Sequence, residues 1–129
     1  MFELEVKCTF DAAHRVEGYP GKCDRLHGHT WTIAAKVQGR ELDELGMLVD
    51  FKLLNQALKD VAAGLDHQWL NELPAFAGKN PTAENIAQYV YRTLGAHEMF
   101  RQSAARPVRL AEVLVWESAH SAVRYFEEI

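Results

Sequence analysis

Cysteine is scarce in this chain: Cys8 and Cys23 are its only two thiols. Two cysteines build no disulfide framework, so the fold has to rest on a hydrophobic core, which one domain spanning 1–129 is large enough to supply. Long apolar runs are missing as well. None approaches the ~18 residues that a membrane span requires, and no charged-then-apolar leader opens the sequence. Neither membrane insertion nor secretion is indicated, and the expected location is the reducing cytoplasm, where Cys23 remains a free thiol. Positive charge is in deficit too. Fourteen Lys and Arg stand against 18 Asp and Glu, a net charge of −4, which argues against a nucleic-acid partner because phosphate binding needs a basic surface. A small anionic substrate held by a few local cations stays compatible with that balance. Repeats and low-complexity segments are lacking, and a hydrophobic share of 48% with a charged share of 25% is that of an ordinary globular domain.

What the chain does have is a concentration of chemistry in Cys23-Asp24-Arg25-Leu26-His27-Gly28-His29. On an extended segment His27 and His29 project to one face, because a strand repeats every two residues, and Gly28 adds no side chain to the other. Two same-facing imidazoles are half of a transition-metal site, and a neutral imidazole is a common ligand for zinc. Residues 2–14 alternate, with Phe2, Leu4, Val6, Cys8, Phe10 and Ala12 on the apolar face, and His14 continues that parity. Residues 15–28 contain Gly18, Pro20, Gly21 and Gly28 and read as a loop. Alternation resumes through His29, Trp31, Ile33, Ala35 and Val37 to Gly39. Two strands joined by this loop bring His14 to the side of the His pair, a route to three ligands. Three histidines form an open, catalytic zinc site, whereas Cys23 as a fourth ligand would close it into a structural one. Sequence spacing leaves both readings standing.

Further along, Asp50 is a plausible N-cap for an amphipathic helix over 51–65, with Phe51, Leu54, Leu58, Val61 and Leu65 at helical spacing. Residues 68–81 are irregular. Asn80-Pro81-Thr82 opens a second helix, with Pro81 suited to its first position or Thr82 to its cap and Gly95 to the residue just past its end. Ile86, Val90 and Leu94 supply its core stripe. A polar loop over 96–107 leads to a third strand, 108–117, and a fourth, 123–128. The order ββααββ predicts an α+β fold: a four-stranded antiparallel sheet with both helices on one face. Ala111, Val113 and Val115 share one face of the third strand and suggest apolar surface left over on the helix-free side, an argument for oligomerisation.

Several titratable residues have plain explanations. His97 reads as a surface loop residue, His120 as a turn residue and Cys8 as a buried structural thiol. Glu84 suits the positive end of a helix dipole. Asp66-His67 falls at a helix end, where it is either an ordinary turn or an acid/base imidazole oriented by its neighbouring carboxylate. Glu117 ends an apolar strand and is either exposed at the sheet end or directed into a pocket as a recognition group.

Together these residues resemble a known pattern. Phe10-Asp11-Ala12-Ala13-His14-Arg15, Cys23-x-x-x-His27-Gly28-His29, Leu65-Asp66-His67-x-x-Leu70-Asn71, Asn80-Pro81-Thr82-Ala83-Glu84-Asn85 and Glu117 are similar, in order and spacing, to the motifs of the 6-pyruvoyltetrahydropterin synthase family. The three-residue gap between Cys23 and His27 resembles the bacterial, queuosine-pathway branch. The resemblance implies the tetrahydrobiopterin-synthase-like T-fold, trimers that close a barrel through their sheets and stack into hexamers, and active sites at subunit boundaries. It implies a zinc-dependent carbon–carbon lyase that converts 7,8-dihydroneopterin triphosphate to 6-carboxy-5,6,7,8-tetrahydropterin, acetaldehyde and triphosphate. The alternatives are a pyruvoyl-forming lyase that eliminates triphosphate without C–C cleavage and a non-catalytic module with a structural zinc. Carried over by position, His14, His27 and His29 become the Zn2+ ligands, Cys23 the general base, and Asp66 with His67 a proton-relay pair. Glu117 becomes the anchor for the pterin 2-amino group and ring N–H, with Thr82 and Glu84 lining the same pocket. Trp116 stands where related sequences carry a basic residue and His120 where they carry a smaller one. Arg25, Lys22 and Arg101 are unranked candidates for triphosphate contact.

Overall fold

The structure, a computed structural model, describes residues 1–101 and 105–128. Strand β1 is Phe2–His14, β2 His27–Gly39, helix α1 Phe51–Ala63, α2 Ala83–Gly95, strand β3 Val108–Ser118 and β4 Ser121–Tyr125. The four strands form one antiparallel sheet in the order β1-β2-β3-β4. Helix α1 packs on β1, and α2 on β3 and β4, so both helices cover the same face as expected. Of the expected 96–107 loop, positions 102–104 lie outside the described residues, and a single turn of 3-10 helix at Glu98–Phe100 buries Met99.

The alternation in β1 and β2 translates directly into a two-layer core. Phe10, Trp31, Ile33 and Val37 point under the helices, where they meet Leu54, Leu58, Ile86, Val90 and Leu94, all nearly or fully buried. Those helix residues recur every three or four positions, so each helix presents one apolar stripe to the sheet. Asp50 caps α1 by accepting the Lys52 N–H at 2.9 Å, and Thr82 caps α2 by accepting that of Asn85 at 3.2 Å. Helix α1 stops at Ala63, two residues short of the expected end, with Gly64 at its C-cap. Gly95 is the last helical residue of α2 rather than a left-handed cap beyond it, and Ala96 is the C-cap.

The third strand departs most from simple alternation. Its register against β2 shifts between Lys36 and Val37, so that Lys36 faces Glu112, Val37 faces Leu110, and Ala111 is an extra, bulged residue. Leu110, Val113 and Val115 therefore all enter the core beneath the helices, and the leftover apolar face expected from Ala111, Val113 and Val115 does not exist. The helix-free face is largely charged instead. Lys36 lies between Glu5 (3.8 Å) and Glu112 (3.6 Å), Arg124 is 3.8 Å from Glu112, and Lys7 sits over the Trp116 ring at 4.9 Å. Strand β4 begins at Ser121, earlier than expected, because Ser118 already pairs with Ser121 across a two-residue turn, and it ends at Tyr125 rather than 128.

Gly39 closes the β1–β2 ladder opposite Phe2. A Cβ there would stand 2.5 Å from a Leu48 side-chain carbon and 3.1 Å from the Pro107 carbonyl, so any larger residue forces its neighbours to shift. At the other end of the ladder His14 pairs with His27, and there the sheet turns from packing to chemistry.

Candidate metal centre and active site

Because His14 faces His27 and Ala12 faces His29 in the ladder, the strand period stacks three imidazoles on the helix side of the sheet. Their ring centroids are 4.4 Å apart for His14 and His27, 4.8 Å for His27 and His29, and 5.2 Å for His14 and His29. Trp31, two residues beyond His29, is wholly buried beneath them, with its ring 5.0 Å from that of His14 and 5.2 Å from that of His29. Its indole N–H donates to the Ala12 carbonyl at 3.3 Å. Trp31 is a site residue that the sequence disguised, because its place in the apolar alternation is indistinguishable from that of any core aromatic.

The ring nitrogens are sorted by their surroundings. His14 Nδ1 lies 2.8 Å from the Pro81 carbonyl and His27 Nδ1 2.7 Å from that of Arg25. A carbonyl can only accept, so Nδ1 carries the hydrogen, and the Nε2 of a neutral ring is left with an outward lone pair. Burial pushes His14 and His29 below the ordinary imidazole range, which favours that neutral form; for His14 the Pro81 carbonyl opposes the shift, and for His29 Glu117 does. His14 is only 1% exposed, yet its Nε2 and that of His29 find no hydrogen-bond partner among the described residues.

Glu117 completes the cluster. It follows Val113 and Val115 in the alternation of β3, so its side chain leaves the strand on the same helix-side face, and the register of β3 against β4 slips beside it, between Trp116 and Ser118. Its Oε1 lies 3.0 Å from His29 Nε2 and 3.4 Å from His14 Nε2, close in distance but not aligned as a hydrogen bond. One ligating atom from each of His14, His27, His29 and Glu117 lies within 4.8 Å of the others. Lone pairs and a carboxylate oxygen directed at one another repel unless a cation stands among them. Three imidazole nitrogens and one carboxylate oxygen suit a borderline divalent cation such as zinc. The metal-ligand expectation for the three histidines thus meets a matching donor set, to which the structure adds Glu117.

Cys23 is not part of that convergent set. It lies half-buried in a single turn of 3-10 helix, Lys22–Asp24, and its carbonyl accepts the Val16 N–H at 2.7 Å. The loop that carries it is braced at several points. Arg15 donates to the Asp24 carboxylate at 2.7 Å and to the Asp24 carbonyl at 2.9 Å, which holds that carboxyl below its usual range. Asn71 accepts the Arg15 N–H and donates to the Arg15 carbonyl, both at 2.9 Å, and Asn80 brackets Glu17 in the same way at 2.9 and 3.1 Å. Each amide imitates a neighbouring strand and satisfies a loop residue on both sides. Motif residues without chemistry of their own thereby acquire a physical reason.

Asp66 and His67 occupy a different place. Residues 66–69 run along the outer edge of β1, where the Asp11 N–H donates to Asp66 Oδ1 at 2.9 Å and the His67 N–H to the Asp11 carbonyl at 2.6 Å. Ala13 continues the contact, donating to the Gln68 carbonyl at 3.0 Å. His67 adopts a left-handed backbone (φ 56°), rare outside glycine. Its Nδ1 is 2.9 Å from Asp66 Oδ2, and its side chain is 78% exposed. Asp66 raises the His67 pKa, while the Asp11 N–H and then His67 lower that of Asp66. The pair is assembled, but across β1 from the three histidines. Thr82 spends its hydroxyl on capping α2, next to the Pro81 carbonyl that orients His14, and Glu84 is exposed in the first turn of that helix. Neither belongs to the metal-binding cluster. His120 is exposed in the β3–β4 turn, whereas His97 is half-buried and caps a turn by accepting the Met99 N–H at 3.1 Å.

Comparison with known proteins matches this architecture. A family model described as 6-pyruvoyl tetrahydropterin synthase fits residues 3–128. The 6-carboxy-5,6,7,8-tetrahydropterin synthase of Synechocystis is 35% identical over 131 residues, covering 98% of this chain and 94% of the relative. The enzyme of that name from Bacillus subtilis is 37% identical over 101 residues, 74% of this chain and 67% of its own. Among solved structures, the 6-pyruvoyl tetrahydropterin synthase of Caenorhabditis elegans superposes with a TM-score of 0.80 at 26% identity, covering 98% of this chain and 96% of the other. That of Plasmodium falciparum superposes at 0.77 with 22% identity over 99% and 98% of the two chains, a likeness of fold. The sheet with two helices on one face is the expected T-fold.

Proposed function

Because this chain belongs to the 6-pyruvoyl tetrahydropterin synthase family, we propose that it is the enzyme that converts 7,8-dihydroneopterin triphosphate to 6-carboxy-5,6,7,8-tetrahydropterin, acetaldehyde and triphosphate, a step toward queuosine and related 7-deazapurines. The names of its relatives support the branch. The convergence of His14, His27, His29 and Glu117 is the observation that carries the chemistry. In this reading His14, His27 and His29 hold a zinc ion. Bound there, zinc supplies Lewis acidity to the hydroxyls of the substrate side chain.

The protein's own groups do the rest. Cys23, on its braced turn, is the general base that takes a proton from the substrate side chain. Glu117 accepts the pterin 2-amino and ring N–H pair, a two-donor edge that matches a carboxylate. Thr82 and Glu84 contribute to the pocket wall. His67, whose pKa Asp66 raises, returns a proton as the carbon–carbon bond breaks and the triphosphate leaves. Its exposed position on the outer edge of β1, outside the cluster of His14, His27, His29 and Glu117, supports a site completed by a neighbouring copy, in a trimer or hexamer. No helix among the described residues is long and apolar enough to cross a membrane, and we place the enzyme in the cytoplasm.

The test is incubation of the purified protein with 7,8-dihydroneopterin triphosphate, followed by product mass and an acetaldehyde assay. A carboxypterin with one acetaldehyde per turnover is expected. Triphosphate release without acetaldehyde would assign the chain to the pyruvoyl-forming reaction instead.

A further inference from the structure

We infer that Glu117 is the resting-state lid of the histidine centre, a carboxylate that closes the cation's fourth position and is drawn off it by the arriving pterin. The inference rests on the proposed zinc site and adds a regulation to it. Three observations carry it. Glu117 Oε1 lies against two of the three ligand nitrogens, 3.0 Å from His29 Nε2 and 3.4 Å from His14 Nε2. Its side chain is 36% exposed while His14 is 1% exposed, so the carboxylate covers the solvent side of a centre whose opposite side is floored by Trp31. The register slip between Trp116 and Ser118 leaves Glu117 with no residue opposite it on β4, and rotation about its own side-chain bonds moves the carboxylate without disturbing the ladder.

A carboxylate is a good fourth ligand for a three-histidine cation and an equally good acceptor for paired N–H donors. It cannot do both with the same geometry. A molecule that offers the two-donor edge of a pterin can compete for Glu117, and in doing so it opens the cation's fourth position to its own side chain. Hydrated anions and sugars, which lack that edge, have no such means of opening it. One residue would thus couple recognition of the ring to exposure of the Lewis acid.

Cobalt(II) loaded in place of zinc makes the fourth position visible by absorption, and thiocyanate reports whether it is free. In the wild type, thiocyanate should bind weakly. In Glu117→Ala its dissociation constant should fall by at least about tenfold, and cobalt should be lost to a chelator at about tenfold lower chelator concentration, an effect of the size seen when a metal site loses one supporting contact. Glu117→Gln, nearly the same shape with a poorer ligand, should behave like Glu117→Ala and guards against a packing artefact. Adding 6-methylpterin, which carries the recognition edge without side-chain hydroxyls, should move wild-type thiocyanate binding toward that of Glu117→Ala. Identical thiocyanate and cobalt affinities in wild type and both variants would overturn the lid while leaving the metal site standing. No effect of 6-methylpterin would overturn the exchange. Failure of every form to take one cobalt per chain would overturn the zinc site itself.

Discussion

Two histidine-bearing regions flank the same strand and have opposite electrostatics. On the helix side of the sheet His14 and His29 are shifted down by burial and present lone pairs to a common point. At the outer edge of β1 His67 is exposed and shifted up by Asp66. The first arrangement suits imidazole to ligating a cation and the second suits it to donating a proton. The residue type is shared, and burial and partner decide the chemistry.

The largest effect should come from breaking the first region. His27→Ala removes a half-buried member of the histidine cluster without opening a hole in the core. We expect it to abolish stoichiometric metal binding and with it detectable turnover, by metal analysis and product assay. The matching substitution in the second region, His67→Ala, should keep the metal and still lose turnover. If both variants lose metal, the two regions are not functionally distinct. Cys23→Ala sharpens the contrast, since the thiol lies outside the ligand set. Metal content should be unchanged, and kcat should fall by ~10²–10⁴, the usual worth of a positioned base.

Much of this contrast was legible in the sequence, for a physical reason. A strand period of two is enough to place His14, His27 and His29 on one face, and a four-strand, two-helix order leaves few arrangements of the sheet. Bulges were not legible. An extra residue at Ala111 reverses the parity on either side of it, so an unbroken alternation assigns Val113 and Val115 to the wrong face, and Glu117, which shares their parity, loses with them its place beside the histidines. The brackets made by Asn71 and Asn80 join residues more than 50 positions apart, a tertiary fact that no local pattern encodes. Trp31 was hidden for the opposite reason, since a core aromatic and the floor of a metal site carry the same alternation.

Asp66→Asn tests the second region by degree. Asp66 holds the His67 pKa above its ordinary value, so its charged form persists to higher pH in the folded protein. The stability this supplies is present below the unfolded imidazole value of ~6.5 and is lost as pH rises through the raised folded value. Asparagine still accepts the Asp11 N–H but carries no charge. The alkaline limb of kcat/KM should therefore move to lower pH, together with the His67 titration seen by NMR, while metal content stays constant. A limb that does not move would remove His67 from the proton path.

Asn71→Ala should have a smaller effect. It strips both hydrogen bonds from the Arg15 backbone, at a cost of about 1–3 kcal/mol. The loop that carries Cys23 loses one brace, so thermal stability and turnover should both fall with metal retained. Wild-type turnover in this variant would mean that Arg15–Asp24 and Asn80 hold the thiol unaided.

Gly39→Ala should alter stability alone, which makes it the control for all the others. Gly39 and His14 lie at opposite ends of the β1–β2 ladder, one facing Phe2 and the other His27. An added Cβ would meet a Leu48 side-chain carbon at 2.5 Å and the Pro107 carbonyl at 3.1 Å. Leu48 can move, but the backbone carbonyl yields less easily. Overpacking of this kind costs about 1–3 kcal/mol, a fall in Tm of several degrees for a domain of this size. Metal content, the pH profile and kcat per folded molecule should match wild type. If the strain instead travelled along the strands to the histidines, metal affinity would fall with stability. The ladder would then be a mechanical link between its two ends, rather than a rigid frame that isolates the site from its own packing.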